Sequence, residues 1–470
     1  MLFHTAQFAL FFLVFLLFYL PVRRTRWGVP VIVVFSSIFY GSWDWRFLPL
    51  LWITIVVDFL VGRSMGKTID DRKRKWLLWV SLSCNLGILG YFKYWNFVIH
   101  TVLGTSAITA KLARPEIVLP LGISFYIFQS LSYIIDVYRR KQAPVAGLLD
   151  FAAFVTFFPH LIAGPIQRVQ QLVPQILKPD AITVTRIASG VFLFSIGFLR
   201  KSLADLLAAF HNPVFSGLDK ADPAAVVTAV FSFGFQIYLD FAGYSEMAVG
   251  LARVLGIDLI DNFQGPYLAT SFREFWRRWH ISLSMWLRDY LYISLGGSRE
   301  GLARQAANLV LTMTVCGLWH GAGWNFVLWG FLHGCYLAIN TLWNRVIGDR
   351  IPKLAGGIAG WLITFVVANY TWIYFRLATF DAAMLANRKI GEWIAHPALP
   401  TNAPRGVFLV IAAVFVMDGY QRMRNGFVPG GFELTTFRAL RYGVATGVFL
   451  MAGLILNLGQ PTLQFIYFQF

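Results

Sequence analysis

Charge is scarce in this chain. Only 13% of its 470 residues are Asp, Glu, Lys or Arg, about half the roughly 25% usual in soluble domains. That shortage, set against 57% hydrophobic residues, excludes an ordinary soluble enzyme. Cysteine is scarcer still: Cys84, Cys316 and Cys335 lie in or beside apolar runs, with no CxxC. Neither a disulfide framework nor a zinc site is suggested. HExxH, HxxxH, the G-x-S-x-G elbow and the P-loop are all missing, so metalloprotease, serine hydrolase and ATPase readings lose their support and no metal site is expected. Acidic residues number 23 against 40 basic ones, a net charge of +17. The basic residues sit in short loops between apolar runs, as the positive-inside rule requires, so nucleic acid is not the implied partner.

What is present is a succession of apolar runs, each near the roughly 20 residues that cross a bilayer as a helix. Residues 8–20 resemble a secretory signal but lack a basic stretch before them and a small-residue cleavage site after them. Arg23, Arg24 and Arg26 follow instead, the pattern of a retained first span. Runs at 27–43 and 47–61 are separated by the polar break Trp43-Asp44-Trp45-Arg46. Six basic residues then occupy 63–75. Runs at 76–99 and 117–137 end at Arg139, Arg140 and Lys141. Basic clusters after spans one, three and five put those loops in the cytoplasm and Met1 outside. Residues 151–163 are too short to span and end in Gly164-Pro165, which suggests a re-entrant segment lined by protein or water. Residues 187–199 are also short, whereas 224–255 can cross with tilt. Further runs at 308–319, 324–342, 360–377, 406–417 and 442–458 bring the expected total to ten to twelve helices. No repeat divides the chain, and residues 1–470 are expected to form one all-α membrane domain.

Two segments carry candidate chemistry. Residues 272–292 read FREFWRRWHISLSMWLRDYLY. On one continuous helix Arg273, Arg277, His280, Ser284 and Arg288 fall within a narrow arc. Such a helix can simply lie at a membrane surface among lipid headgroups, or its arginines can bind an anion such as a cofactor's phosphates. Residues 317–334 read GLWHGAGWNFVLWGFLHG. His320 closes an apolar run and is followed by Gly321 and Gly323, residues that permit a break or close backbone approach. An ionisable residue inside a membrane segment is a functional candidate by default; a histidine bridging two helices is the alternative. His333, on an unbroken helix, would face away from His320 and have a structural role. His160, before Gly164-Pro165, is expected to hold a turn. Asp240, with Glu246 nearby, could serve proton-coupled transport or anchor a neighbouring helix.

These blocks together resemble the membrane-bound O-acyltransferase family, in its alginate O-acetyltransferase-like branch. The likeness rests on FREFWRRWHISLSMWLRDYLYISLGGSR (272–299) followed by GLWHGAGWNFVLWGFLHG. It extends to LPLGISFYIFQSLSYIIDVYRR (119–140), FFPHLIAGPIQR (157–168), QIYLDFAGYSEMAVGLA (236–252) and the terminal FIYFQF (465–470). The resemblance implies a ring of helices around a central funnel and an active-site histidine at His320, with His280 as the second family histidine. It also implies a cytoplasmic acyl donor, acetyl-coenzyme A, an exported exopolysaccharide as acceptor, periplasmic acetyltransferase partner proteins, and residence in a bacterial inner membrane. Arg273, Arg277, Arg288 and Ser284 are the expected donor-binding residues. Two alternatives stay open: D-alanyl transfer to teichoic acid from a carrier protein, and a polysaccharide or lipid transporter without chemistry. A transporter is expected to show repeated halves with interrupted helices, and none is seen.

Overall fold

The computed structural model describes residues 1–104, 107–114, 116–347, 353–398, 400, 405–424, 436–457 and 465–466. The described elements are helices of α, 3₁₀ and π type. Five stretches among them are long and apolar enough to cross a membrane: Gly28–Lys67, Pro223–Val254, Trp324–Val346, Gly356–Arg376 and Arg405–Met423. Ala6–Val22 and Tyr442–Asn457 are shorter apolar helices. Large apolar side chains face outward as well as inward. On Ala6–Val22, Leu13 and Leu17 are 61% and 73% exposed while Phe15 and Tyr19 are fully buried. Exposed Trp27, Trp45, Trp76 and Trp79 suit the headgroup boundary. Large apolar side chains turned outward in such number need lipid around them.

The chain divides into two compact units. The first comprises Met1–Phe194 and Tyr244–Ile260. Here the break at 43–46 is a 3₁₀ turn, Trp45–Phe47, between helices Gly28–Asp44 and Leu48–Lys67. Asp44 fixes it by accepting from the Arg46 amide at 3.0 Å and pairing with the Arg46 guanidinium at 2.6 Å. Buried Arg74 donates to the carbonyls of Met65, Val137 and Tyr138 at 2.5, 2.7 and 3.0 Å. One side chain thereby satisfies carbonyls at the ends of Leu48–Lys67 and Ile123–Tyr138, groups a helix cannot satisfy internally. Residues 151–163 are buried and broken into helices Leu148–Thr156 and Phe158–Leu161. His160 sits in that break, 2.6 Å from Gln129 Nε2 through Nδ1 and 3.0 Å from the Phe154 carbonyl through Nε2. Both ring nitrogens are engaged in holding the turn.

The second unit comprises Ser195–Gly243 and Asp261–Phe470. Residues 187–199 are not a short segment: they belong to a 33-residue helix, Val184–Ser216. The charged residues Arg200 and Lys201 that close the apolar run have buried, paired side chains. Arg200 meets Asp418 at 3.2 Å, and Lys201 meets Asp205 at 2.6 Å and Asp240 at 3.0 Å. Paired in this way, charge can stay inside an apolar helix bundle. Asp240 also accepts from the Ile466 amide at 2.6 Å, so it anchors neighbouring chain. Residues 467–470 of the terminal FIYFQF lie outside the described residues.

Candidate active site

The site is built in the second unit from two turns. The first interrupts residues 272–292. Ser271 caps a seven-residue helix, Phe272–Arg278, by accepting from the Glu274 amide at 3.2 Å. Glu274 and Arg278 pair along it at 2.9 Å. The helix stops at Trp279. His280 takes φ +43° and ψ +56°, the left-handed region, costly for a residue with a Cβ. A second helix, Ile281–Leu287, and a π turn, Arg288–Tyr292, follow.

Asn262 pins this bend. Its backbone carbonyl accepts from the Ile281 amide at 3.0 Å. Its Oδ1 accepts from the Ser282 hydroxyl at 2.8 Å and the Ser282 amide at 3.2 Å, and lies 3.3 Å from His280 Nδ1. Nothing at 262 in the sequence announces this role, because the partners lie 18 to 20 residues away.

The continuous stripe expected at 272–292 therefore does not form. Arg273 is exposed and donates to Thr341 Oγ1 at 3.2 Å. Arg277 is exposed on the same short helix. Arg288 lies beyond the bend, exposed and paired with Asp289 at 2.7 Å. Ser284 donates to the Trp279 carbonyl at 3.3 Å and so bridges the bend. His280 is fully buried, unlike the three arginines. The positive φ redirects the chain, so 100° spacing no longer relates residues on its two sides.

The second turn follows helix Leu302–His320. His320 is its last residue; the Gly321 amide still reaches the Gly317 carbonyl at 3.3 Å, and Gly323 donates to the Gly321 carbonyl at 3.0 Å. Helix Trp324–Val346 then packs back. The return depends on Gly317 and Gly330. A Cβ on Gly317 would lie 3.0 Å from Gly330 Cα, and one on Gly330 would lie 2.9 Å from Gly317 N. Neither backbone leaves room for a side chain.

The reversal places His320 in an aromatic cage. Its ring centroid lies 4.9 Å from Trp319, 5.3 Å from Trp329 and 5.2 Å from Phe375, and the residue is 3% exposed. His280 packs edge-on against Phe241 at 4.6 Å and meets the same Trp319 at 6.2 Å. The fold brings the two histidines to one tryptophan. His333 lies on the returning helix, because the chain reverses between it and His320. It lies 4.6 Å from Trp329 and 3.1 Å from Thr371 Oγ1 through Nε2, a second layer behind the cage. Trp319, Trp329 and Phe375 escaped the sequence reading because aromatic residues are common throughout a chain that is 17% Phe, Trp and Tyr.

A buried imidazole closing helix Leu302–His320, enclosed by indole and phenyl rings, in a chain with five helices long and apolar enough to cross a membrane among the described residues, defines a helical membrane protein with an ionisable group held away from bulk water. Residues 138–381 match the model of the membrane-bound O-acyltransferase family, MBOAT. The chain belongs to that family and is an O-acyltransferase. It is 40% identical over 397 residues to the probable alginate O-acetylase AlgI of Azotobacter vinelandii, covering 81% of this chain and 78% of that protein. The peptidoglycan O-acetyltransferase of Helicobacter pylori is 36% identical over 387 residues, 75% of this chain and 72% of its own. The teichoic acid D-alanyltransferase of Streptococcus thermophilus is 26% identical over 348 residues, 68% of this chain and 81% of its own.

Proposed function

We propose that this protein passes an acetyl group from a cytoplasmic donor, acetyl-coenzyme A, toward an exported polysaccharide, with His320 as general base. The observation that carries the proposal is the placement of His320: buried, at the end of helix Leu302–His320, at a glycine-built reversal inside an aromatic cage. The alginate and peptidoglycan acetyltransferases among the relatives support a polysaccharide acceptor. An imidazole nitrogen takes the proton of the acceptor hydroxyl. The freed oxygen attacks the thioester carbonyl, the C–S bond breaks, and the protonated imidazole returns its proton to the leaving thiolate. The products are an acetyl ester and free coenzyme A thiol. A positioned base of this kind contributes roughly 10²–10⁴-fold, and the cage keeps competing water from the thioester.

His280 supports the donor end of the reaction, polarising the thioester carbonyl or orienting it. Arg273, Arg277 and Arg288 remain the donor-binding residues of the reading, now as separate exposed cations around the bend. Residence in a bacterial inner membrane with Met1 outside, and cooperation with periplasmic acetyltransferase partners, complete it. Purified protein in detergent is to be incubated with radiolabelled acetyl-coenzyme A and oligosaccharide. Label in the oligosaccharide supports the reading. Label transferred only from a D-alanyl carrier protein would instead establish the teichoic-acid alternative, and binding of the oligosaccharide without transfer from any donor would favour a transporter.

A further inference from the structure

Arg376 ends the helix Lys353–Arg376 and directly follows Phe375, a wall of the His320 cage. It is partly buried. Its Nη2 donates to Asn212 Oδ1 at 3.0 Å, and its guanidinium lies over the rings of Phe215 and Phe233 at 5.2 and 5.9 Å. Among the described residues it has no carboxylate partner. Its counterparts in the same unit differ: Arg200 faces Asp418 and Arg278 faces Glu274. A guanidinium removed from water is normally neutralised by an anion.

The same two phenyl rings flank His211, at 5.7 and 5.6 Å between centroids. His211 is fully buried, and its Nε2 lies 3.0 Å from Gln236 Oε1. A carboxamide oxygen there assigns the proton to Nε2. Nδ1 then presents a lone pair, and no described group donates to it. Pro213, just beyond, has no amide to give the Ala209 carbonyl, so the helix runs on with one ladder bond missing beside these side chains. A cation at a helix C-terminus is favourable for its own sake. That alone leaves the idle acceptor of His211 beside the same rings unexplained.

We propose that Arg376 and His211 form a subsite for an anionic sugar unit of the acyl acceptor, the guanidinium taking one oxyanion and His211 Nδ1 accepting from a neighbouring hydroxyl. The inference rests on the acyl-transfer reading above and deepens it by naming the acceptor's chemistry. One guanidinium suits one oxyanion, carboxylate or phosphate, rather than the several phosphates of the donor. Arg376 is on this account a specificity residue, and the adjacent Phe375 sets its distance from His320.

The test uses purified full-length protein and three acceptors: a uronic-acid oligosaccharide, its carboxyl-reduced neutral counterpart, and a sugar-phosphate oligomer. Wild type is expected to favour one of the two anionic acceptors over the neutral one by at least tenfold in kcat/KM; which one identifies the oxyanion. Arg376→Gln should abolish that preference through KM, leaving kcat and the KM for donor unchanged, and Arg376→Lys should restore part of it. His211→Phe should raise KM for the preferred anionic and the neutral acceptor alike, since both carry the hydroxyl. Equal elution profiles and thermal midpoints certify folded variants. An Arg376→Gln protein that keeps the anionic preference, or that changes the KM for donor instead, overturns the subsite. Acceptor binding measured without donor separates the two levels. Loss of anionic-oligomer binding in Arg376→Gln upholds the subsite even if no acetyl transfer is detected, whereas transfer with undiminished preference refutes the subsite alone.

Discussion

The two histidine-bearing turns of the second unit bend the chain by different physical means. At 321–323 the chain reverses where glycines permit it, and Gly317 and Gly330 let the returning helix approach backbone to backbone. At 279–281 the chain bends at a histidine with positive φ, and a carboxamide from a distant segment, Asn262, holds it there. The first turn is local in its causes. The second is imposed by tertiary structure on a residue that resists it. A site assembled from both combines a preformed cage with a strained, clamped partner, and each half should fail in its own way.

The largest effect is expected at the local turn. Gly330→Val would drive a side chain into the Gly317 backbone and the Met313 carbonyl, and overpacking at fixed backbone is not relieved by rotamer change. The protein should fail to accumulate in the membrane; immunoblotting of membrane fractions checks this. Normal accumulation would mean that the helices separate readily and that the cage is not rigid.

Next comes the buried charge cluster. Lys201→Met leaves Asp205 and Asp240 facing each other without their cation, and breaking a buried pair in this way costs roughly 3–5 kcal/mol. Thermal unfolding in detergent should fall sharply. Adding Asp240→Asn should recover part of the loss; failure to do so would separate Asp240 from the pair.

The imposed turn should respond more mildly and chiefly in activity. Asn262→Ala removes acceptors for the Ser282 hydroxyl and amide, and each buried group left unsatisfied costs about 1–3 kcal/mol. Stability should drop by that order while transfer drops further, because the His280 ring loses its orientation. A variant that is destabilised yet keeps full transfer would show that His280 need not be held.

The smallest effects are expected at the arginines. A continuous stripe would make Arg273, Arg277 and Arg288 act together on the donor. Separated by the bend, and with Arg288 already paired to Asp289, single Gln variants should weaken donor affinity by no more than about fivefold, under the 1.5–3 kcal/mol of a well-formed bond to a charged group. A larger loss at one position, read by donor titration, would mark that residue as the donor's main contact.

The comparison also explains what was legible in the sequence. The membrane class, the His320 turn and the position of the break at 43–46 were readable because apolar runs, glycines and a polar interruption act locally. The 272–292 segment misled because helical periodicity presumes an unbroken helix, and His280 gives no sign that it interrupts one. Residues 187–199 misled for the opposite reason: the apolar run is short, but the helix continues past it because Asp418, Asp205 and Asp240 pair with Arg200 and Lys201. Asn262 was invisible because its partners are distant in sequence, and the cage aromatics because aromatic residues are common throughout the chain.

The role proposed for His320, base in O-acyl transfer, is tested by single-turnover transfer of radiolabelled acetyl from acetyl-coenzyme A to an oligosaccharide by purified wild-type and His320→Ala proteins of matched thermal stability. The variant is expected to bind donor with unchanged affinity and to transfer at least roughly a hundredfold more slowly, the lower bound for a positioned base. Transfer by His320→Ala within a few-fold of wild type would contradict it.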